Sequence, residues 1–232
     1  MAQVGDTITY TFSDGTSVAE DVSNVGEVVV DYLYSMGGQG GEFADNPGSS
    51  GGAVENVVVN VSNVSTLYIW VSGTAFADGD TGKGRYNGGS SNTYNGGGST
   101  EIASVNTNSN DSPTEPFIVA AGGGGGGFQS GFFSSIIGSG GARGGVGSNG
   151  SSNGEGDAPP VGGDASKNSS TAATPGDGAV SGHGSTVPIV ETGSTTAGGG
   201  SSAQNDGEVK LSFKKSSLSP PDPPSNLTAD VQ

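Results

Sequence analysis

Glu208-Val209-Lys210-Leu211-Ser212-Phe213 alternates apolar and polar residues without a break. Val209, Leu211 and Phe213 fall on one side and Glu208, Lys210 and Ser212 on the other, the period of a half-buried strand. The stretch stands immediately after a glycine-dense run. That run opens at Ala120-Ala121 with six consecutive glycines, Gly122 to Gly127, and lasts to about Gly207. Strand-like segments precede it and one strand-like segment follows it, so the run reads as an insert inside a β domain and not as a tail. A strand that returns to its sheet needs the two ends of the insert close together, and each doubling of a loop's length adds only about 0.6 kcal/mol to that closure.

Upstream, Ile8, Tyr10 and Phe12 alternate with Thr9, Thr11 and Ser13, and Asp14-Gly15 ends the strand. Residues 27–36 form a longer one, expected to carry Val28, Val30, Tyr32 and Tyr34 on one face and Val29, Asp31, Leu33 and Ser35 on the other. Its apolar content on both faces predicts a central position. It runs into Gly37-Gly38-Gln39-Gly40-Gly41. Residues 54–61 and 66–71 are two β-branched runs separated by Ser62-Asn63-Val64-Ser65, a hairpin-like arrangement, and the only tryptophan, Trp70, is expected to anchor a packed face. A short strand over 102–105 and a last apolar strand, Phe117-Ile118-Val119-Ala120, lead into the six glycines.

Of 232 residues, 46 are glycine, about a fifth of the chain against roughly 7% in globular proteins. Hydrophobic residues make up 30%, too few for ordinary burial to organise the whole length. Between 122 and 207 no helical period is visible, and the strict third-residue glycine of collagen is not kept. Two arrangements fit: a flexible coil, or glycine segments in polyproline-II conformation packed through their backbones where no Cβ intervenes. The closing strand favours the ordered one, with Phe128, Phe132, Phe133, Ile136 and Ile137 as an apolar knot against the glycine layers. The expected fold is all-β, an antiparallel β-sandwich with almost no α-helix and a long glycine-rich insert of packed polyproline-II helices.

Twenty-three acidic against seven basic residues give a formal net charge of −16. A field of that sign repels nucleic acid and anionic membrane. It suits a soluble acidic surface protein, or a protein adapted to high salt, where screening shrinks to a few ångström. Cysteine is absent, which excludes disulfides and thiolate metal sites. Residues 1–6 show no basic and apolar signal-peptide pattern, and no apolar stretch approaches the ~20 residues of a membrane span.

The order Ile8 to Phe12, then Val28 to Met36 into Gly37-Gly38-Gln39-Gly40-Gly41, then Tyr68-Ile69-Trp70-Val71-Ser72-Gly73, then Phe117 to Gly127, closing on Asp206 to Phe213, resembles the glycine-rich domain of phage tail-fibre and adhesin proteins. That domain also recurs in some animal receptor ectodomains. The resemblance covers about residues 6 to 215 and implies a β-sandwich whose loops grow into a bundle of glycine polyproline-II helices. Here the later glycine blocks are diluted by Ser, Asn and Asp. Pro223-Pro224-Ser225-Asn226-Leu227-Thr228-Ala229-Asp230-Val231 looks like the first strand of a fibronectin type III module. The expected division is therefore a domain over 1–215 containing the insert 122–207, a Pro/Ser linker over 216–222, and the start of a fibronectin-like module over 223–232.

Little here carries chemistry. His183, the only histidine, lies between Gly182 and Gly184 and reads as a surface loop residue. Asp78-Gly79-Asp80-Thr81-Gly82-Lys83-Gly84 fails as a phosphate loop, because Ala77 stands where the first glycine belongs and Gly84 where Ser or Thr belongs. As a calcium loop it offers only Asp78 and Asp80 and lacks the distant bidentate Glu, so no cofactor is expected and calcium is a weak candidate. Six Asn-x-Ser/Thr sequons, among them Asn60-Val61-Ser62 and Asn63-Val64-Ser65, are expected by chance in so Asn- and Ser-rich a chain. The acidic residues are scattered in turns, where solvation is the default, so no enzyme is expected.

Aromatic residues in glycine-rich loops give rigid, amphipathic contact area, which makes Tyr86, Tyr94, Phe128, Phe132 and Phe133 the receptor-contact candidates. For the phenylalanines, packing beneath the glycine layer is the competing reading. The sequence is expected to encode a virion surface structural protein of a tailed virus, its acidic charge being consistent with a halophilic host. It would be a tail fibre, spike or capsid turret component that presents loops for host-cell attachment, a homo-oligomer beside other virion proteins, meeting a cell-surface receptor or glycan and neither nucleic acid nor membrane. The alternative is a cellular surface or matrix module with no receptor role. A disordered acidic linker ranks third.

Overall fold

A computed structural model describes residues 1–12, 17–36, 50–73, 98–105, 116–123, 137–138, 165–166, 178–180, 187–202 and 205–217. Among them there is no helix, and the strands are Thr7–Thr11 (β1), Val18–Asp21 (β2), Glu27–Tyr34 (β3), Ala53–Asn60 (β4), Thr66–Trp70 (β5), Thr100–Ala103 (β6) and Pro116–Ala120 (β7). Ile137–Gly138 (β8), Ala165–Ser166 (β9), Gly178–Val180 (β10), Ile189–Glu191 (β11), Ser194–Thr196 (β12) and Glu208–Lys214 (β13) complete the order. The protein is all-β, and every pairing is antiparallel.

Two sheets form the sandwich. Sheet A is six-stranded, in the order β1-β13-β3-β4-β11 with β12 also on β4, and sheet B is five-stranded, β10-β7-β6-β5-β2. The closing strand β13 sits between the first and third strands of the chain, with Thr7 opposite Ser212 on one side and Glu27 opposite Lys214 on the other. Its alternation holds in full: Val209, Leu211 and Phe213 are 0, 0 and 1% exposed, and all three join the core between the sheets. Facing them from sheet B are Leu67, Ile69, Ile102 and Ile118, all fully buried. Each such side chain contributes roughly 1.5–3 kcal/mol relative to exposure.

Three expectations from the sequence change. The runs around 54–61 and 66–71 are not a hairpin, because β4 belongs to sheet A and β5 to sheet B. Residues 61–65 carry the chain across the end of the sandwich. Val61 is fully buried there, donating to the Gly26 carbonyl and accepting from Val64 in a tight turn. The glycine-dense run also contributes more to the sandwich than one strand after it, since β10 pairs with β7, and β11 and β12 pair with β4. Each of those strands is three residues long, too short to show a period.

The third change concerns the faces of β3. Tyr32 pairs with Lys210 but Val30 pairs with Leu211, so Asp31 is an extra residue relative to β13. Such a bulge switches which side chains face the core. Val28 and Val30 point inward before it and Leu33 after it, which turns Tyr32 and Tyr34 outward. In β4 the inward set switches in the same way, from Val57 and Val59 to Val54, around Asn56 at φ 57°. Asparagine tolerates that left-handed backbone better than most residues. Across the strand pair, Gly193 at φ 58° lies so near that a Cβ there would meet the Glu55 carbonyl. As the sequence predicted, β3 is central, and Trp70 is buried at 6% exposure.

The two sheets differ on their outward sides. In sheet B, Trp70, Glu101 and Val119 lie along one register line facing away from the core, yet they are 6, 0 and 1% exposed. Sheet A instead keeps a half-exposed outer side, lined by Thr7, Thr9, Thr11, Tyr32, Tyr34, Lys210 and Ser212.

Candidate functional site

Strand directions place three of the longest connections together. Residues 37–49 and 74–97 and the stretch between Gly123 and Gly178, with the short link 13–16, leave and re-enter at one end of the sandwich, as the pairings of Thr11 with Glu208, Tyr34 with Ala53, Thr100 with Ala120 and Gly178 with Ala120 require. Residues 106–115 connect β6 to β7 at the opposite end, where Ala103 pairs with Pro116. Residues 1–6 and 214–217 lie at the opposite end, where Phe213 N–H donates to the Asp6 carbonyl and Gly26 N–H to the Lys214 carbonyl.

The loop-bearing end is held by a dense set of hydrogen bonds among small residues. Gly52 N–H donates to the Ala121 carbonyl at 2.8 Å and Gly123 N–H to the Met36 carbonyl at 3.1 Å, joining sheet A to sheet B through their backbones. Ser201 N–H donates to the Ser35 carbonyl and Gly51 N–H to the Ser201 carbonyl. The Ser35 hydroxyl donates to the Ala121 carbonyl. At the centre, Met36 N–H donates to Ser72 Oγ at 2.7 Å, Ser72 Oγ and Thr100 Oγ1 are 2.8 Å apart, and Ser72 N–H donates to Thr100 Oγ1 at 3.1 Å. Gly207 N–H donates to the Ser72 carbonyl, and a Cβ on Gly207 would run into Ser72 Oγ and Thr100 Oγ1. Ser35, Ser72, Ser99 and Thr100 are all fully buried. Polar side chains are tolerated in such a place only when hydrogen-bonded, and here they fix the points from which the glycine-rich segments depart.

A second feature lies on the outer side of sheet A. The bulge at Asp31 brings Tyr32 and Tyr34 together, rings stacked with centroids 4.7 Å apart and planes 15° from parallel. Tyr34 donates its hydroxyl to Glu55 at 2.6 Å, and Tyr32 donates to Glu208. The bond to Glu55, with a lesser part from burial, pushes the Tyr34 phenol up to about 12, and the bond to Glu208 raises that of Tyr32. Lys210 Nζ stands 6.0 Å from the Tyr32 ring centroid, at the limit of a cation–π contact. Ser212 donates to Asp31 at 2.7 Å. The pair was not picked out from sequence because unbroken alternation would have put both rings on the core side. The bulge that exposes them has no signature beyond an aspartate inside an apolar strand.

The receptor-contact candidates Tyr86, Tyr94, Phe128, Phe132 and Phe133, the weak calcium pair Asp78 and Asp80, and His183 lie outside the described residues. Most of the linker and the fibronectin-like start over 223–232 lie outside them too. Of the insert 122–207 expected to pack as polyproline-II helices, the described part includes the short strands β8 to β12, and the rest lies outside the described residues. Among the described residues no group of three or more His, Asp or Glu is placed to hold a metal ion. Of the sequons, Asn60 uses its Oδ1 to accept from Ser62 N–H at 2.9 Å, while Asn63 is exposed at the turn. Beside them a depression of about 320 Å³ carries no charged side chain in its lining.

No family model matches this chain, and no curated protein matches it in sequence.

Proposed function

We propose that the protein is a virion surface structural protein, a tail-fibre, spike or turret component, whose sandwich holds glycine-rich segments out for attachment to a host cell. The observation that carries this reading is polarity. The three longest connections, over 37–49, 74–97 and between Gly123 and Gly178, emerge from one end of the sandwich, and residues 1–6 and 214–217 lie at the other together with the shorter connection 106–115. A chain anchored through one end and varied at the other is built to display loops, and loops on a rigid scaffold are where binding residues concentrate. The buried polar network at the loop-bearing end supplies the rigidity. The excess of acidic side chains fits a surface working in high salt, and the role proposed is binding and structural.

The test is adsorption. Labelled protein is incubated with a panel of bacterial and archaeal cells in low and high salt, beside variants in which residues 74–97 or 124–176 are replaced by short Gly/Ser linkers. Saturable binding that either replacement abolishes supports attachment. Absence of binding to every cell type reduces the role to a structural module of a surface or matrix.

A further inference from the structure

We infer that β1 is a self-association edge, through which two copies of this chain join their A sheets by antiparallel pairing about Thr9. Phe213 N–H donates to the Asp6 carbonyl, so in this antiparallel ladder residues 6, 8 and 10 turn their backbone groups toward β13. By the alternation of the ladder, Thr7, Thr9 and Thr11 turn their N–H and C=O groups to the free side. No backbone group on that side has a partner among the described residues.

Exposed edges of this kind template pairing with another chain, and sheets ordinarily blunt them with charge, proline, bulges or shortness. The other edges of the sandwich are blunted. β2 ends on Asp21, whose carbonyl accepts from Ala2 N–H. β10 has three residues, and β11 and β12 have three each, separated by Gly193 and with a register shift within β11. In contrast, β1 reads Thr-Ile-Thr-Tyr-Thr, five residues of high strand propensity with no charge, glycine or proline.

The occupant is a second copy for two reasons. Net charge of −16 sets nearly any contact between two copies against like-charge repulsion, whereas pairing about Thr9 places Thr7 opposite Thr11 of the other copy and Asp6 opposite Phe12, so no two charges meet. The pairing also sets Ile8, packed on the core but only partly buried, opposite Tyr10 of the other copy. The three outward threonines of each copy would make about six backbone hydrogen bonds around a two-fold axis. This inference does not depend on the attachment reading.

Sedimentation velocity of the purified protein in 0.1 and about 1 M salt tests it, since screening weakens the opposing net charge. The expected result is a monomer–dimer equilibrium that shifts toward dimer in salt. Thr9→Pro removes an outward N–H while leaving the bonds of Ile8 and Tyr10 to β13, and is expected to weaken dimerisation at least about 100-fold. Thr9→Lys, which keeps the backbone and places two ammonium groups face to face, should do the same should Thr9→Pro unfold. Circular dichroism confirms the fold of each variant. A wild-type protein that stays monomeric at every concentration and salt, or an oligomer insensitive to both substitutions, overturns the inference.

Discussion

Replacing Ser72 by alanine removes one oxygen from the point where the loop-bearing end is tied together. Met36 N–H, 2.7 Å from that oxygen, is left without its acceptor in a fully buried place. An orphaned buried donor costs about 1–3 kcal/mol, and the lost bond to Thr100 about 0.5–1.5 kcal/mol more. The expected destabilisation is therefore about 3 kcal/mol, a large part of the 5–15 kcal/mol typical of a domain. Urea unfolding followed by tryptophan fluorescence reads it through Trp70, with a midpoint lowered by about 1–1.5 M at unchanged slope. Thr100→Val keeps the shape and orphans Ser72 N–H instead, for about 2 kcal/mol. Because the Ser72–Thr100 bond can be lost only once, the double variant should fall short of the sum by about 1 kcal/mol. A Ser72→Ala protein within about 0.5 kcal/mol of wild type, or strictly additive effects, would refute the network.

Phe213→Ala, at 1% exposure in the middle of the core, should cost about 3–5 kcal/mol, while Lys214→Ala next to it, exposed, should change stability by no more than about 0.5 kcal/mol in the same urea titration. Tyr34 should titrate near 12, measured as phenolate absorbance missing from Tyr34→Phe, and Glu55→Gln should move it down toward the ordinary 10.0. Its folded pKa is raised, so the folded protein holds a phenolic proton that the unfolded chain loses above pH 10. Stability from this group is complete below pH 10 and is lost as pH rises through about 12. Replacing residues 124–176 with a four-residue turn lowers the loop-closure cost by up to about 2 kcal/mol, since Ala120 and Gly178 are already paired neighbours, and should leave the sandwich cooperative in thermal unfolding. Loss of cooperative thermal unfolding in that variant would show that the insert is needed for the fold itself.

Where one face of a strand is apolar and the other polar, the sequence was sufficient. The alternation at Val209, Leu211 and Phe213 announces both a strand and its buried side, and burial follows it residue by residue. Where pairing replaces pattern, the sequence is silent. β10 to β12 are edge strands of three residues whose place is set by backbone bonds to β7 and β4, and a run of Ser, Thr and Gly carries no hydrophobic period to reveal it. The hairpin expected between 54 and 71 fails because a short turn serves a crossing between sheets as well as it serves a hairpin, and only the partners of β5 distinguish them. The stacked tyrosines were hidden for a related reason. One extra residue at Asp31 inverts every side chain beyond it, a change of register to which a strict two-residue period is blind. The buried Ser72–Thr100 network was equally silent, because serine and threonine before glycines look the same in a solvated loop.

β13 is an inner strand that closes sheet A after the whole glycine-rich run. Amide hydrogen exchange of residues 208–214 tests that most directly. With β1 on one side and β3 on the other, the amides from Val209 to Phe213 should exchange as slowly as those of Val28 to Val30 in β3, only through global unfolding. Exchange of residues 208–214 at the rate of an unstructured chain, while Val28 to Val30 stay protected, would contradict it.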